Sequence, residues 1–119
     1  SLPPIAADVG ALQMIVRNLV ENSARHAGRE RVQVRVSARR DGARVLLEYR
    51  DDGAGTAVQG RELGRLFGRG AGSGGSGVGL YLVRALMERM GGRADFSSAP
   101  GAGFCAELRF APSNEEPGA

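Results

Sequence analysis

The chain has 119 residues, 42% of them hydrophobic and 24% charged, which is the composition of one globular domain with a single core. No apolar run approaches the roughly 20 residues of a membrane span, and the single cysteine, Cys105, excludes an intrachain disulfide and a cysteine metal site. The net charge of +3 comes from scattered arginines, and aromatic residues make up only 5% of the chain, which argues against a nucleic-acid-binding surface.

The first predicted element is a helix that begins after Asp8, which can cap it, and runs to about Ala27. Positions at helical spacing predict the face that packs on the core: Leu12, Ile15, Val16, Leu19 and Ser23. Asn18, Asn22 and Arg25 fall on another strip of this helix. Two amides and a guanidinium in a row offer oxygen ligands for a hard cation and donors for phosphate. An ordinary solvated helix face is the alternative interpretation.

Two strands and a tight turn are predicted next. Val32, Val34 and Val36 alternate with polar residues, which indicates a half-buried strand. Asp41-Gly42 suits a hairpin turn. The second strand shows the same alternation at Val45, Leu47 and Tyr49, and it ends at the polar segment 51–56.

The middle of the chain is poor in apolar residues and rich in glycine, so we expect a short helical piece near 61–67 and then a flexible loop. Helical periodicity returns at Gly79 and predicts a second helix with one apolar face: Leu80, Val83, Leu86, Met87 and Met90. Gly91-Gly92 should end that helix.

The last predicted elements are two strands, 93–98 and 104–110, joined by a glycine-containing turn at 99–103. One domain over residues 1–112 accounts for all predicted elements. Residues 113–119 are polar and contain proline and glycine, so we expect a disordered tail there.

Two glycine-containing segments are candidates for binding a nucleotide. Asp51 ends a strand and is followed by Gly53 and Gly55, so its carboxylate could accept a hydrogen bond from an exocyclic amine while the glycines admit a flat ring. A plain turn or a calcium-like loop is the alternative. The segment 75–80 precedes the second helix, where free backbone N–H groups can bind an anion. It is neither a dinucleotide fingerprint nor a Walker-type loop, since no strand directly precedes it and the chain has no lysine.

In this order the segments resemble the ATP-binding catalytic domain of bacterial sensor histidine kinases, which share a superfamily with gyrase, the heat-shock chaperone ATPases and MutL. The N box of that family is similar to residues 18–27, the G1 box to 51–55, the F box to Leu66-Phe67, the G2 box to 75–80 and the last glycine turn to 101–103. The resemblance implies an α/β (α+β) two-layer sandwich of the Bergerat type. A mixed sheet of four or five strands would pack on about three helices, and residues 57–76 would form a lid over ATP.

The resemblance also implies catalytic and metal-binding roles on the first helix. Asn22 would coordinate a Mg²⁺ ion that bridges the phosphates, and Asn18 would support the phosphates or the metal from one turn earlier. Arg25 and His26 would contact phosphate and sugar. Asn18, Asn22 and Arg25 are therefore the candidate catalytic residues.

The implied nucleotide-binding residues include Asp51, which would bond the adenine amino group. Gly53 and Gly55 would admit the ring. The others lie in the second glycine segment: Gly75, Ser76, Gly77, Val78, Gly79 and Leu80.

Some residues depart from the family pattern or allow a second interpretation. Asp52 replaces a commoner Asn, and Phe104 stands where the last motif usually has Thr. Hydrolysing members of the superfamily have a glutamate base where Asn18 stands, and asparagine cannot take a proton. Glu21 could serve as a base, or it could pair with Arg25 on the helix.

A protein histidine kinase that uses ATP and Mg²⁺ therefore fits the resemblance better than an ATPase. Its partners would be the histidine-bearing dimerisation domain of the same kinase and a response regulator downstream, with no nucleic acid. We expect the full-length protein to be a membrane-associated homodimer and this chain a cytosolic monomer. The alternatives are an anti-sigma-factor-type serine kinase and a degenerate, non-enzymatic nucleotide-binding module.

Overall fold

The computed structural model describes residues 5–26, 31–53, 76–98, 101 and 103–113, apart from the side chains of His26, Ser76 and Val78. In this part of the chain two helices pack on one four-stranded sheet, which confirms the two-layer sandwich. The elements are α1 (Val9–His26), β1 (Val34–Asp41), β2 (Arg44–Asp51), α2 (Ser76–Arg89), β3 (Arg93–Ser98) and β4 (Phe104–Phe110). The expected helix at 61–67, the loop after it and the tail from 114 lie outside the described residues.

The strand order is β1-β2-β4-β3, and every pairing is antiparallel. The expected mixed sheet is therefore wrong for these four strands. β2 and β3 do run in the same direction, as a strand-helix-strand connection predicts. β4 lies between them and pairs with both, so no parallel ladder forms. An isolated antiparallel bridge also joins Ile5 to Pro112.

The core lies between the helices and the sheet. The first helix contributes Ile15 and Leu19, and the second contributes Leu80, Val83 and Met87, all with at most 2% of their surface exposed. Strands β2, β3 and β4 add the aromatic and aliphatic side chains Tyr49, Ala94, Phe96, Phe104, Ala106, Leu108 and Phe110. Val16, expected in the core, is 54% exposed. It lies at the edge of a narrow buried strip that follows positions 12, 15, 19 and 23.

The expected start of α1 and the expected end of α2 are confirmed. Asp8 accepts a hydrogen bond from the N–H of Ala11 (2.8 Å), as an N-cap does. At the end of α2, Gly91 adopts φ 79° and the N–H of Gly92 reaches the carbonyl of Met87 (2.9 Å), which is a glycine C-cap. Neither described helix has the length and the hydropathy to cross a membrane.

The first strand differs from its prediction. Every residue of β1 is exposed, including Val34 and Val36, so it is not half-buried. β1 is at the edge of the sheet and pairs only with β2 among the described strands, while α2 packs over β3 and β4. Alternating valines indicate a strand, but they do not show whether a helix covers it.

Candidate functional site

Asp51 stands at the end of β2 with 8% of its surface exposed, and it is the centre of a buried hydrogen-bond network. Its Oδ1 atom accepts the N–H of Gly53 (3.0 Å) and the N–H of Phe104 (3.1 Å). Its Oδ2 atom accepts the hydroxyl of Ser23 on α1 (2.6 Å). The bond to Gly53 follows directly from the sequence, because an Asp side chain readily binds the N–H two residues on.

Two hydroxyl groups extend this network away from the carboxylate. The Ser23 hydroxyl lies 2.7 Å from that of Tyr49, and the Tyr49 hydroxyl donates to the carbonyl of Leu19 (3.0 Å). Burial raises the pKa of Tyr49, and its hydrogen bond with the Ser23 hydroxyl lowers this pKa by less, so the phenol keeps its proton at neutral pH. The sequence patterns do not indicate Ser23 or Tyr49 as site residues. A polar residue on the buried face of α1 was the signal that could have pointed to Ser23.

Hydrogen bonds from the described residues leave one accepting position on the carboxylate of Asp51. An ionised carboxylate has about four lone-pair sites. Three of them are used by Gly53, Phe104 and Ser23. The group can therefore take one more N–H donor without giving up a protein contact, which is what recognition of a single amine requires.

The turn before β4 also positions the carboxylate of Asp51. Gly103 adopts φ 74°, and a Cβ atom placed on it would lie 2.1 Å from the carbonyl oxygen of Asp51. Only glycine fits there, and this close approach brings the N–H of Phe104 to the carboxylate. The Phe104 ring stacks on Phe96 and meets Tyr49 edge-on, with centroids 6.0 and 6.3 Å apart. Phe104 thus anchors the turn through both its ring and its backbone.

A cavity of about 400 Å³ opens at this end of the sheet. Asp51, Gly53 and Gly103 line it, together with Arg35 and Arg50. The neighbouring Asp52 is exposed, and its Oδ1 atom accepts the N–H of Gln33 (2.7 Å), so this carboxylate holds the chain that leads into β1.

The two asparagines of α1 have different surroundings. The Asn18 side chain donates to the carbonyl of Met14 (2.7 Å), and its oxygen lies against Gly79 of α2, 3.2 Å from where a Cβ atom would stand. Gly79 therefore permits the contact between the two helices at Asn18. The half-buried side chain of Asn22, one turn later, makes no hydrogen bond to the described residues.

Residues 76–80 of the second glycine segment lie inside α2 rather than before it. Ser76, Gly77 and Val78 form the first turn of α2, where the backbone N–H groups still lack helical partners. Leu80 is 2% exposed and belongs to the core, so it packs the helix that carries the glycines. Gly55 and Gly75 lie outside the described residues.

The other polar groups of α1 are near its end or on its open side. Arg25 is exposed in the last turn of α1 and its side chain is engaged in an interaction. The side chain of His26 is not among those that the structure describes. Glu21 forms an ion pair with Arg17, one turn before it (3.3 Å); a base or a pair with Arg25, one turn after it, were the two interpretations from the sequence. Both side chains of the observed pair are more than half exposed, at 77% and 56%.

The donors for a metal ion are limited. No group of three or more His, Cys, Asp or Glu side chains is arranged for a metal among the described residues. The amide oxygen of Asn22 is a hard donor of the kind that Mg²⁺ accepts. Mg²⁺ is usually held by few protein ligands together with phosphate oxygens and water, so this donor set fits the ion when nucleotide is bound.

Comparison with known proteins identifies the family of the chain. A model of the family described as histidine kinase-, DNA gyrase B-, and HSP90-like ATPase matches residues 7–114. The alginate biosynthesis sensor protein KinB of Pseudomonas aeruginosa is 36% identical over 104 residues, which are 86% of this chain and 17% of KinB. The sensor histidine kinase GraS of Staphylococcus haemolyticus is 31% identical over 118 residues, which are 93% of this chain and 33% of GraS.

A solved structure gives the same likeness in three dimensions. The crystal structure of full-length ShkA in complex with AMPPNP superposes with a TM-score of 0.74 at 28% identity. The likeness covers 94% of this chain and 24% of ShkA. The chain thus spans a third or less of the length of each of these proteins.

Proposed function

Because the chain belongs to the family of histidine kinase-, DNA gyrase B- and HSP90-like ATPases, we propose that it is the ATP-binding catalytic domain of a sensor histidine kinase. It would transfer the γ-phosphoryl group of ATP to a histidine on a separate dimerisation domain of the same kinase, which then phosphorylates a response regulator. The sensor proteins among its relatives support this proposal, and they are several times longer than the chain.

One observation carries the proposal: the buried carboxylate of Asp51, on which the described residues leave a single accepting position. The exocyclic amine of adenine supplies the donor that this position needs. Guanine has a carbonyl at the same place, so a carboxylate would face an acceptor and both groups would lose their hydrogen bonds with water.

The rest of the site would hold the phosphates in place, since phosphoryl transfer depends mainly on positioning and charge stabilisation. Asn22 would hold Mg²⁺, which neutralises the phosphate charge when bound. Arg25 and His26 would contact the phosphates and sugar, and the first turn of α2 offers free N–H groups.

No group on the described part of α1 is placed to activate water. Asn18 cannot accept a proton, and its amide is bound to its own helix. Glu21 is on the solvated side and paired with Arg17. This favours transfer to an outside acceptor over rapid hydrolysis.

Calorimetry with ATP, GTP and the Asp51→Asn variant tests the base site. We expect ATP to bind more than about tenfold tighter than GTP, which is about 1.4 kcal/mol, and Asp51→Asn to lose most of that preference. Asp52→Asn is the matched control, since its exposed carboxylate binds Gln33, and it should keep the preference. Equal affinities for ATP and GTP in the unchanged protein would refute the role of Asp51.

Radiolabelled ATP tests the transfer. The chain alone should carry no label, and a separately added histidine-bearing helical domain of the same kinase should become labelled through an acid-labile bond. Asn22→Ala should abolish this labelling while reducing ADP affinity much less, because the metal acts mainly at the terminal phosphates. Acid-stable label would indicate a serine kinase, and no label with intact ATP binding would indicate the non-enzymatic module.

A further inference from the structure

A chain of two hydroxyl groups reaches the carboxylate of Asp51 from inside the protein. Tyr49 and Ser23 are 2% and 1% exposed, and they lie on β2 and α1, 26 positions apart in the sequence. The Ser23 hydroxyl is 2.6 Å from Asp51 and 2.7 Å from the Tyr49 hydroxyl. Neither residue is exposed enough to contact a ligand in the solvent, and Asp51 is the group through which their hydrogen bonds lead to the site.

The direction of these hydrogen bonds follows from the chemistry of the groups. An ionised carboxylate only accepts, so Ser23 donates its single hydroxyl proton to Asp51. The Ser23 oxygen can then only accept from Tyr49. The carbonyl of Leu19 is the second acceptor available to the same Tyr49 proton. Each donation polarises the next, and the hydrogen bond to the charged group is the strongest of them.

These hydrogen bonds decide which accepting position of the Asp51 carboxylate is left for a ligand. Oδ1 already accepts two backbone N–H groups, and Ser23 occupies one side of Oδ2. Rotation of the carboxylate would break three hydrogen bonds at once. Without the Ser23 hydroxyl, Oδ2 would have two accepting positions and could bind water or a donor from more than one direction.

We propose that Ser23 and Tyr49 are positioning residues that aim the one remaining acceptor of Asp51 at the exocyclic amine of adenine. This inference rests on the proposed function, in which Asp51 binds that amine. Ser23 acts directly on the carboxylate. Tyr49 acts through Ser23, so its contribution is smaller and depends on the presence of the serine hydroxyl.

Binding of ATP and of purine riboside triphosphate, which lacks the 6-amino group, tests the proposal on the 119-residue chain. The unchanged protein should prefer ATP. Ser23→Ala should weaken ATP binding about tenfold and binding of the purine riboside nucleotide by less than about twofold. Tyr49→Phe should weaken ATP binding about threefold with the same selectivity. In the double variant with Ser23→Ala it should add nothing, since the hydrogen bonds that link Tyr49 to Asp51 are already lost.

Ser37→Ala and Tyr81→Phe are matched controls, because both side chains are exposed and away from Asp51. Neither should change the preference for ATP. If Ser23→Ala does not fold, Tyr49→Phe decides the question by itself.

The outcomes separate this proposal from the one on which it rests. Equal loss of both nucleotides in Ser23→Ala, or fully additive effects in the double variant, would show a general packing role and overturn the positioning role alone. No preference for ATP in the unchanged protein would overturn the assignment of Asp51, and the positioning role with it.

Discussion

The two faces of the sheet are built from alternate residues of the same strands, yet they are stabilised in different ways. On the face toward the helices, Tyr49 of β2 and Leu108 of β4 belong to the buried core. On the open face, Glu48 and Arg50 of β2 form an ion pair (3.0 Å) with 28% and 58% of their side-chain surface exposed. The hydrogen bond from Arg50 lowers the pKa of Glu48, as expected for a solvated pair.

Ion pairs also form on the open face at β3 and β4. Asp95 of β3 binds both Arg93 (3.0 Å) and Arg109 (3.3 Å). Exposed ion pairs of this kind contribute at most about 1 kcal/mol each, since water competes for both charges. Stability and the base site therefore depend mainly on the helix-facing side, where Asp51 also lies, while the open face carries these ion pairs and also buries Leu46 and Cys105.

The largest effect should come from a cavity on the helix-facing side. Leu108 is 2% exposed in the central strand β4, and Leu108→Ala should lower the free energy of unfolding by roughly 2–5 kcal/mol. Its neighbour Glu107 points to the open face, so Glu107→Ala should cost about 0.5 kcal/mol or less. Urea unfolding of the two variants measures the difference directly. Similar losses would show that both faces contribute to the core.

The second effect concerns the turn that holds Asp51. Gly103→Ala places a methyl group against the Asp51 carbonyl in a positive-φ conformation, and it should cost about 3 kcal/mol. Gly101→Ala is the matched control in the same turn, because it has a similar φ of 78° but open space around it. We expect it to cost only about 1 kcal/mol. Thermal unfolding with and without ATP tests both, and only Gly103→Ala should also weaken nucleotide binding.

The sequence was sufficient for features that depend on neighbouring residues. The cap at Asp8, the end of α2 at Gly91 and the extents of β3 and β4 follow from local chemistry, and the structure confirms them. Asp51 could also be selected from the sequence, because a strand that ends in an Asp followed by glycines is a local pattern. Its use in nucleotide binding stays a prediction.

Features that depend on tertiary contacts could not be predicted. The insertion of β4 between β2 and β3 leaves no local signal, and neither does the exposure of Val34 and Val36 on an uncovered edge. The contact of Ser23 with Tyr49 exists only because α1 crosses β2 at that point. Gly79 is a related case: its role in phosphate binding stays a prediction, and the structure shows that it makes room for Asn18.

The smallest of the three stability effects is a dependence of the free energy of unfolding on pH, caused by a buried thiol on the open face. Cys105, opposite Arg50 in the sheet, is on the open side and yet 7% exposed, and burial raises the pKa of its thiol despite the opposing charge of Arg50. The nearby carboxylates of Glu48 and Glu107 raise this pKa further. The folded chain therefore keeps a proton that the unfolded chain releases, and stability should fall as pH rises through about 8.5, the ordinary thiol value.

The composition of the chain leaves a pH range in which the thiol titrates with few other groups. The chain has no lysine, and its arginines do not titrate there, so between about pH 8 and 9.5 few other groups change charge. Cys105→Ser keeps the size and a hydrogen-bonding group but cannot titrate, and the free energy of unfolding of this variant should be nearly flat in that window. Tyr49, whose pKa is also raised by burial, should cause a second decline only above about pH 10, and Tyr49→Phe should remove it. A decline between pH 8 and 9.5 that persists in Cys105→Ser would show that the buried thiol on the open face is not its source.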